Sequence, residues 1–168
     1  MITIMGGSLY SGNIIPKAEF NIYHDPDAAK LVFNSGVKVI MSGLEVCYSG
    51  GVPHQALEVF KNKGRASVLV DELLEFFTQY SRTRNIPWSP IFDMTPIIHL
   101  LKPEIFESVH YHVDIETEGE LCRGMTVADL REPLDPQTFN TEVLLSVNNE
   151  AFVKYFIASI MRLDQMRV

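Results

Sequence analysis

Side chains able to hold a sugar gather early in the chain. Asn13, Glu19 and Asn21 put two amides and a carboxylate within nine residues, with the aromatic Phe20 beside them. Amides both donate and accept hydrogen bonds and a carboxylate accepts them, so this set suits neutral hydroxyl groups. Other chemistries are less well provided for. His110 and His112 converge from one face if their stretch is a strand, but two imidazoles without a third defined ligand read more plainly as a solvated face than as a metal site. Cys47 and Cys122 stand far apart with no CxxC spacing. They read as two buried thiols in a reducing compartment, which makes the cytoplasm the expected location.

These residues need elements to position them. Ile2-Thr3-Ile4-Met5 is an apolar run that stops at Gly6-Gly7, the pattern of a buried strand ending where a ligand or backbone comes close. A loop carrying Asn13 to Asn21 follows. Asp25-Pro26-Asp27 then opens a helix predicted over about 25–34, with Asp25 as N-cap and Pro26 at its first position. Strand, polar loop and helix in succession are how open α/β sheets build a site beyond the carboxyl ends of their strands. Val37 to Met41 is a second β-branched strand ending at Ser42-Gly43, and 44–48 either continues it or begins a loop. Pro53 starts a short helix to about Asn62, closed by Gly64. Across 66–82, Leu69, Leu73, Phe76, Phe77 and Tyr80 keep helical spacing and are read as a core-facing stripe. Residues 82–92 hold Pro87, Trp88 and Pro90 and read as a proline-stiffened connector.

The remainder is predicted as a helix over 94–101 and an alternating strand over 109–117. That strand puts Val109, Tyr111, Val113 and Ile115 on one face. A further strand is bracketed by Gly119 and Gly124, and Met125-Thr126-Val127 is expected to pair with a neighbour. Strand 142–147 and helix 149–163, carrying Phe152, Tyr155, Phe156 and Ile160, close the chain. The expected class is α/β, an open and mostly parallel sheet flanked by helices, with no repeat and no linker over residues 1–168.

Composition sets the outer bounds. With 168 residues, 46% of them apolar and 21% charged, the chain can bury a core as one unit. A net charge of −7 argues against nucleic acid or an anionic membrane as partner. No run approaches the roughly 18–20 apolar residues of a membrane span, and the N-terminus lacks the basic region of a secretory signal. Met1 stands directly before an apolar strand with no polar lead-in. A strand of that kind needs neighbours on both sides, so the sequence reads as cut rather than begun.

The blocks themselves resemble a known family. Gly12-Asn13, then AEFN at 18–21, Tyr23 and DPDAA at 25–29 are similar to the inosine–uridine-preferring nucleoside hydrolases. The likeness continues through FNSGV (33–37), MSGLEV (41–46), LLKPEIF (100–106) and ETEGELCRGMTVAD (116–129). Members of that family are about twice as long, and this chain resembles their second half alone. The resemblance implies hydrolysis of the N-glycosidic bond of purine or pyrimidine ribonucleosides to ribose and free base, with a calcium ion holding the attacking water. On that likeness Asn13, Glu19 and Asn21 are ribose ligands, Met5 lies beside the ribose, and the Phe20 ring lies near the oxocarbenium. Asp93 matches a calcium ligand, and 82–92 matches a mobile flap.

Two departures stand out against the family pattern. Its HDP is written here Phe92-Asp93-Met94, so the carboxylate is kept and the imidazole that assists the leaving group is not; phenylalanine cannot donate a proton. LEVCY at 44–48 likewise replaces LDVTH. The family's aspartate-rich DTDPGxDD-type strand end, which supplies most calcium ligands, has no counterpart. Calcium wants about 6–8 oxygens, and one carboxylate cannot hold it. The resemblance thus leaves two expectations open. One is a hydrolase completed by the missing N-terminal half or within a homo-oligomer. The other is a catalytically silent remnant that binds ribose or a nucleoside or serves as a partner subunit.

Overall fold

A computed structural model describes residues 1–131 and 136–166, with Tyr80 described by its backbone only. Its centre is a four-stranded sheet. Strands β1 (Ile2–Met5), β2 (Val39–Ser42) and β8 (Thr141–Val147) run parallel, and β5 (Phe106–Tyr111) adds an antiparallel edge in the order β1-β2-β8-β5. The expected open, mostly parallel sheet flanked by helices is therefore what the chain builds. Every residue of β2 is buried, as a strand covered on both faces requires.

Alternation along β2 and β8 sorts the core into two halves. Val39, Met41 and Val143 face one side, where they meet Ile22, Phe33, Val113 and Ile115. Ile40, Leu144 and Val147 face the other, where they meet Val46, Cys47, Ile98, Phe152 and Phe156. The first side is covered by α1 (Phe20–His24) and α2 (Pro26–Phe33). The second is covered by α3 (Leu44–Ser49), α5 (Arg65–Thr83), α6 (Met94–Leu101) and α7 (Asn149–Gln165). Two small antiparallel pairs flank the sheet: β3 (Val52–Pro53) with β4 (Trp88–Ser89), and β6 (Val113–Ile115) with β7 (Thr126–Ala128). A short α4 (His54–Leu57) follows β3. No helix among the described residues is long and apolar enough to cross a membrane.

Several local expectations are corrected. Residues 44–48 form a helix rather than more strand or loop, because Gly43 breaks the ladder and caps α3. Phe20–His24 is also helical, where a continuous loop was expected. The helix after Pro53 turns to a 3-10 turn at Glu58 and stops at Lys61, and Gly64 begins the next helix instead of ending this one. The predicted strand 109–117 is two strands in different sheets. The Asn140 side chain accepts from the Val113 amide at 2.8 Å and donates to the Val113 carbonyl at 2.8 Å, which turns the chain there. Between Gly119 and Gly124 lies a turn and no strand. Cys47 is buried as expected, but Cys122 is only half-buried.

The largest correction concerns α5. Its range matches, but the stripe read as core is turned outward: Leu73 is 60% and Phe76 78% exposed, with Leu69 and Phe77 exposed as well. The side chain of Tyr80, last of that stripe, lies outside the described residues. The face that packs inward carries Ser67, Leu74, Thr78 and Ser81. Hydroxyls can occupy it because partners meet them there. Asp164 of α7 accepts from the amides of Ala66 (2.8 Å) and Ser67 (3.2 Å) and from the Ser67 hydroxyl (2.5 Å). It caps a helix whose own N-cap is the bare Gly64. That position stays glycine because a Cβ would run into the Asp164 carboxyl.

The Ser67 hydroxyl, followed by the backbone amides, holds the Asp164 carboxyl below its usual 3.8. A depressed value means stability that is present above the ordinary pKa and lost as pH falls through the folded one. Asp164→Asn should therefore lower the melting temperature at neutral pH. The gap to the parent should close as pH drops below about 3.8, read by melts across a pH series.

Candidate functional site

The site is built where β1 ends. Beyond Met5 the chain makes two turns, each held by a side chain far away in sequence. Thr126 of β7 donates to the Ser8 carbonyl and accepts from the Ser8 amide at 2.8 Å. Glu45, on the first turn of α3, accepts from the Ser8 hydroxyl at 2.8 Å and the Leu9 amide at 3.0 Å. Residues 12–18 then fold tightly: Gly12 donates to the Pro16 carbonyl at 3.0 Å and Asn13 to the Ala18 carbonyl at 3.2 Å. That turn brings Asn13 against the start of α1, where its Oδ1 accepts from the Phe20 amide at 2.8 Å.

Glu19 is the keystone of this arrangement. It is 2% exposed, and it caps α1. Its Oε2 accepts from the amides of Gly7 (3.0 Å), Asn21 (2.9 Å) and Ile22 (3.1 Å), and its Oε1 from Asn21 (2.9 Å). The carboxylate thus ties the end of β1 to the start of α1 before it meets any ligand, and Oε1 keeps the freer lone pairs. The Asn21 amide nitrogen donates to the Met5 carbonyl and approaches the Met5 sulfur, both at 3.2 Å. Amide orientations follow from this bonding pattern. They leave Asn13 with N–H groups and Asn21 with a carbonyl oxygen to offer outward.

Met5, Asn13, Glu19, Phe20, Asn21, Phe92 and Asp93 together line one hollow of about 230 Å³. All six residues singled out from the sequence are in this hollow. A donor amide, an acceptor amide and a carboxylate around one small space fit a polyhydroxylated ring, whose hydroxyls donate and accept at once. Phe20 is 48% exposed and sits 4.1 Å from the His24 ring, so it forms an aromatic wall.

Asp93 enters from the other side, at the N-terminus of α6. The simple alternative for it, a helix-capping aspartate, does not describe its geometry. Its backbone is already helical, and its side chain makes no capping bond. The carboxylate is exposed at the rim of the hollow. Among the described residues no group of three or more His, Cys, Asp and Glu side chains could hold a metal ion. His110 and His112 do not form one; the His112 Nδ1 lies 3.0 Å from the Thr138 carbonyl. One exposed carboxylate beside an already engaged one does not meet the about 6–8 oxygens that calcium takes. The donor set of the described residues does not fit that ion by itself.

A second, larger space opens beside the hollow. About 860 Å³ in volume, it shares Asn13 and Phe92 with the hollow and is walled mainly by Tyr48, Phe76, Phe77, Trp88 and Pro90. The rings meet edge to face: Tyr48 with Trp88 at 6.3 Å, Tyr48 with Phe92 at 6.1 Å and Phe77 with Phe92 at 6.5 Å. Phe76 and Phe77 of the outward α5 stripe end in this chamber, as do Arg84, Ile86, Trp88, Pro90 and Phe92 of the 82–92 connector. Sequence reasoning missed it because periodicity says which side of a helix is apolar, not whether that side is covered. Glu45 was missed too, though a carboxylate just after Ser42-Gly43 was a visible cue. Cys47 is fully buried, and burial pushes its thiol up to about 12, away from the thiolate form a nucleophile needs.

Comparison with known proteins gives the chain's family. The family model described as inosine-uridine preferring nucleoside hydrolase matches residues 1–154. The pyrimidine-specific ribonucleoside hydrolase RihA of Klebsiella pneumoniae subsp. pneumoniae is 43% identical over 155 residues. That match covers 90% of this chain and 50% of the relative. RihA of Salmonella newport is 41% identical over the same length. Among solved structures, the purine-preferring ribonucleoside hydrolase from Gardnerella vaginalis superposes with a TM-score of 0.86 at 25% identity, covering 97% of this chain and 52% of that one. A plant nucleoside hydrolase, PpNRh1, gives 0.83 at 21% identity, which speaks to the fold. The chain spans about half the length of the relatives it matches. It belongs to the inosine-uridine preferring nucleoside hydrolase family.

Proposed function

We propose that this chain is the ribose-gripping half of a ribonucleoside hydrolase, corresponding to the C-terminal half of the family domain. The observation that carries the reading is the single hollow in which Met5, Asn13, Glu19, Phe20, Asn21 and Asp93 meet. Asn13, Glu19 and Asn21 take the sugar hydroxyls, Met5 and Phe20 pack on the ring, and Asp93 gives one oxygen toward a calcium site. The remaining calcium oxygens come from carboxylates outside these residues, on another polypeptide or on further sequence. The reaction of the completed protein is cleavage of a ribonucleoside to ribose and free base, and the likeness to RihA favours a pyrimidine. Grip on the sugar hydroxyls that strengthens as positive charge develops is what such a cleavage demands of this half.

A second reading has its own observation. Phe92 stands beside Asp93 and supplies no proton, which suits a binding remnant or partner subunit without catalysis. Calorimetric titration of the chain with ribose tests what both readings share. Binding is expected, and Asn21→Ala should weaken it by about tenfold, the worth of one good hydrogen bond to a buried partner. Equal affinity in parent and variant would remove the sugar site. Adding calcium with uridine then separates the two readings. Hydrolysis that appears once the family's N-terminal half is supplied supports the first, and none with that half bound supports the second.

A further inference from the structure

The chamber is mainly aromatic, with the polar Asn13, Gln79 and Arg84 and the Tyr48 ring also lining it, and one serine reaches its wall with a relay behind it. Ser81, on the inner face of α5, lines the chamber. Its oxygen accepts from the Ser89 hydroxyl at 2.9 Å, and the Ser89 oxygen lies 3.0 Å from Nε2 of His54. Ser89 is fully buried, and Ser81 is 7% exposed. The three residues come from α5, β4 and α4. The Val52–Pro53 and Trp88–Ser89 pairing sets their spacing, together with the bond from the His54 amide to the Pro87 carbonyl at 3.0 Å. A hydroxyl has one proton to give and two lone pairs to offer, so a row of hydroxyls passes hydrogen bonds in one direction or the other.

We infer that Ser81 is a polar contact for the nucleobase in this chamber, and that His54, acting through Ser89, sets whether it donates or accepts. This rests on the ribonucleoside reading above, because the chamber adjoins the sugar hollow through Asn13 and Phe92. When His54 is protonated, Nε2 can only donate. Ser89 must then donate its hydrogen bond to Ser81, which leaves the Ser81 O–H to point at the ligand. When the ring is neutral the row can also run the other way, and Ser81 can accept. The chamber thus grips a base carbonyl best when His54 is charged.

The electrostatic surroundings of His54 are few. Burial and the Arg82 guanidinium hold its pKa below the usual 6.5, against a smaller pull from Glu75 and from a hydrogen bond to the Trp88 backbone. Arg82 and Glu75 of α5 pair with each other at 3.2 Å. In the adjoining 3-10 turn Glu58 is tied to Lys61 at 2.7 Å, and neither β3 nor β4 carries a charged side chain. The ring is therefore held toward its neutral form, and acidification is what charges it.

Trp88 is the only tryptophan in the chain and walls this chamber, so its emission reports occupancy there. The probe is 1,3-dimethyluracil, which has carbonyl acceptors and no N–H donor. Quenching is expected, with tighter binding at about pH 5 than at about pH 7.5. Ser81→Ala should weaken acid-side binding about two- to tenfold and remove the pH response. His54→Gln keeps a polar group against Ser89 but cannot titrate, so its binding should not vary with pH; thermal melts confirm that each variant is folded. Unchanged affinity in Ser81→Ala, a pH response that survives in His54→Gln, or no quenching at all would each overturn the assignment. Ribose titration reads the hollow separately. Ribose binding with an empty chamber defeats this inference alone, and loss of both defeats the ribonucleoside reading as well.

Discussion

Glu19→Ala should cost about 3 kcal/mol or more and lower the melting temperature by roughly 6–12 °C. Three backbone amides, those of Gly7, Asn21 and Ile22, now donate to its carboxylate. Two of them, on Gly7 and Ile22, are buried residues with no water to turn to. Hydrogen bonds to a charged acceptor are about twice as strong as neutral ones, and a buried donor left unsatisfied bears its full desolvation penalty. Glu19→Gln separates the carboxylate's structural part from its ligand part, since one amide oxygen in the place of Oε2 can still accept from Gly7, Asn21 and Ile22 while the charge and the Oε1 acceptor are lost. Its expected loss is about half that of alanine. Urea unfolding of the three proteins checks the order, and an alanine variant as stable as the parent would show that β1 and α1 are held together by other means.

Gly12→Ala is expected to cost less stability, about 1–3 kcal/mol, and to abolish ribose binding. A Cβ on Gly12 would run into the Ala18 and Ile15 carbonyl oxygens, with the Ala18 nitrogen at 2.5 Å. These are backbone atoms, which cannot swing aside as a side-chain tip can. The loop is at the surface, so it relieves the clash by opening and does not unfold the core. Opening it breaks the bond from Asn13 to the Ala18 carbonyl and carries the Asn13 amide off the Phe20 N–H. One wall of the hollow leaves with it. Calorimetry with ribose beside a urea melt distinguishes this outcome, a folded protein without a sugar site, from general destabilisation.

How much of this was legible in the residues differs by element. The Asp25–Pro26 helix start was readable because its determinants are local, and Asp25 indeed accepts from the Ala28 amide at 3.0 Å. The β2 and β8 strands were readable from their β-branched runs. The hollow's occupants could be named through the likeness of Gly12-Asn13 and AEFN to a family block, but Glu19's capping of α1 could not. That depends on Gly7 coming within 3.0 Å, which is a tertiary fact. The α5 stripe misled for a related reason. Phe76 and Phe77 have the spacing of core residues, while Ser67 and Ser81 face inward because Asp164 and Ser89 are there to meet them. Strand 109–117 misled because the side chain that breaks it, Asn140, comes from elsewhere in the chain.

The middle of the sheet has a consequence for how the molecule assembles. Val39 of β2 aligns with Thr141 of β8, and between them in sequence stand α3, α4, α5 and α6. During synthesis, β2 and β1 leave the ribosome long before the strand that completes them. Loop closure over such a span is entropically costly, and sheets dominated by distant pairings fold slowly compared with helical bundles. Until β8 pairs with it, β2 has an unpaired strand edge, the kind of feature that exposes a chain to aggregation. Pairing of β8 with β2 is what joins the two core halves, since Val143 belongs to one and Leu144 to the other.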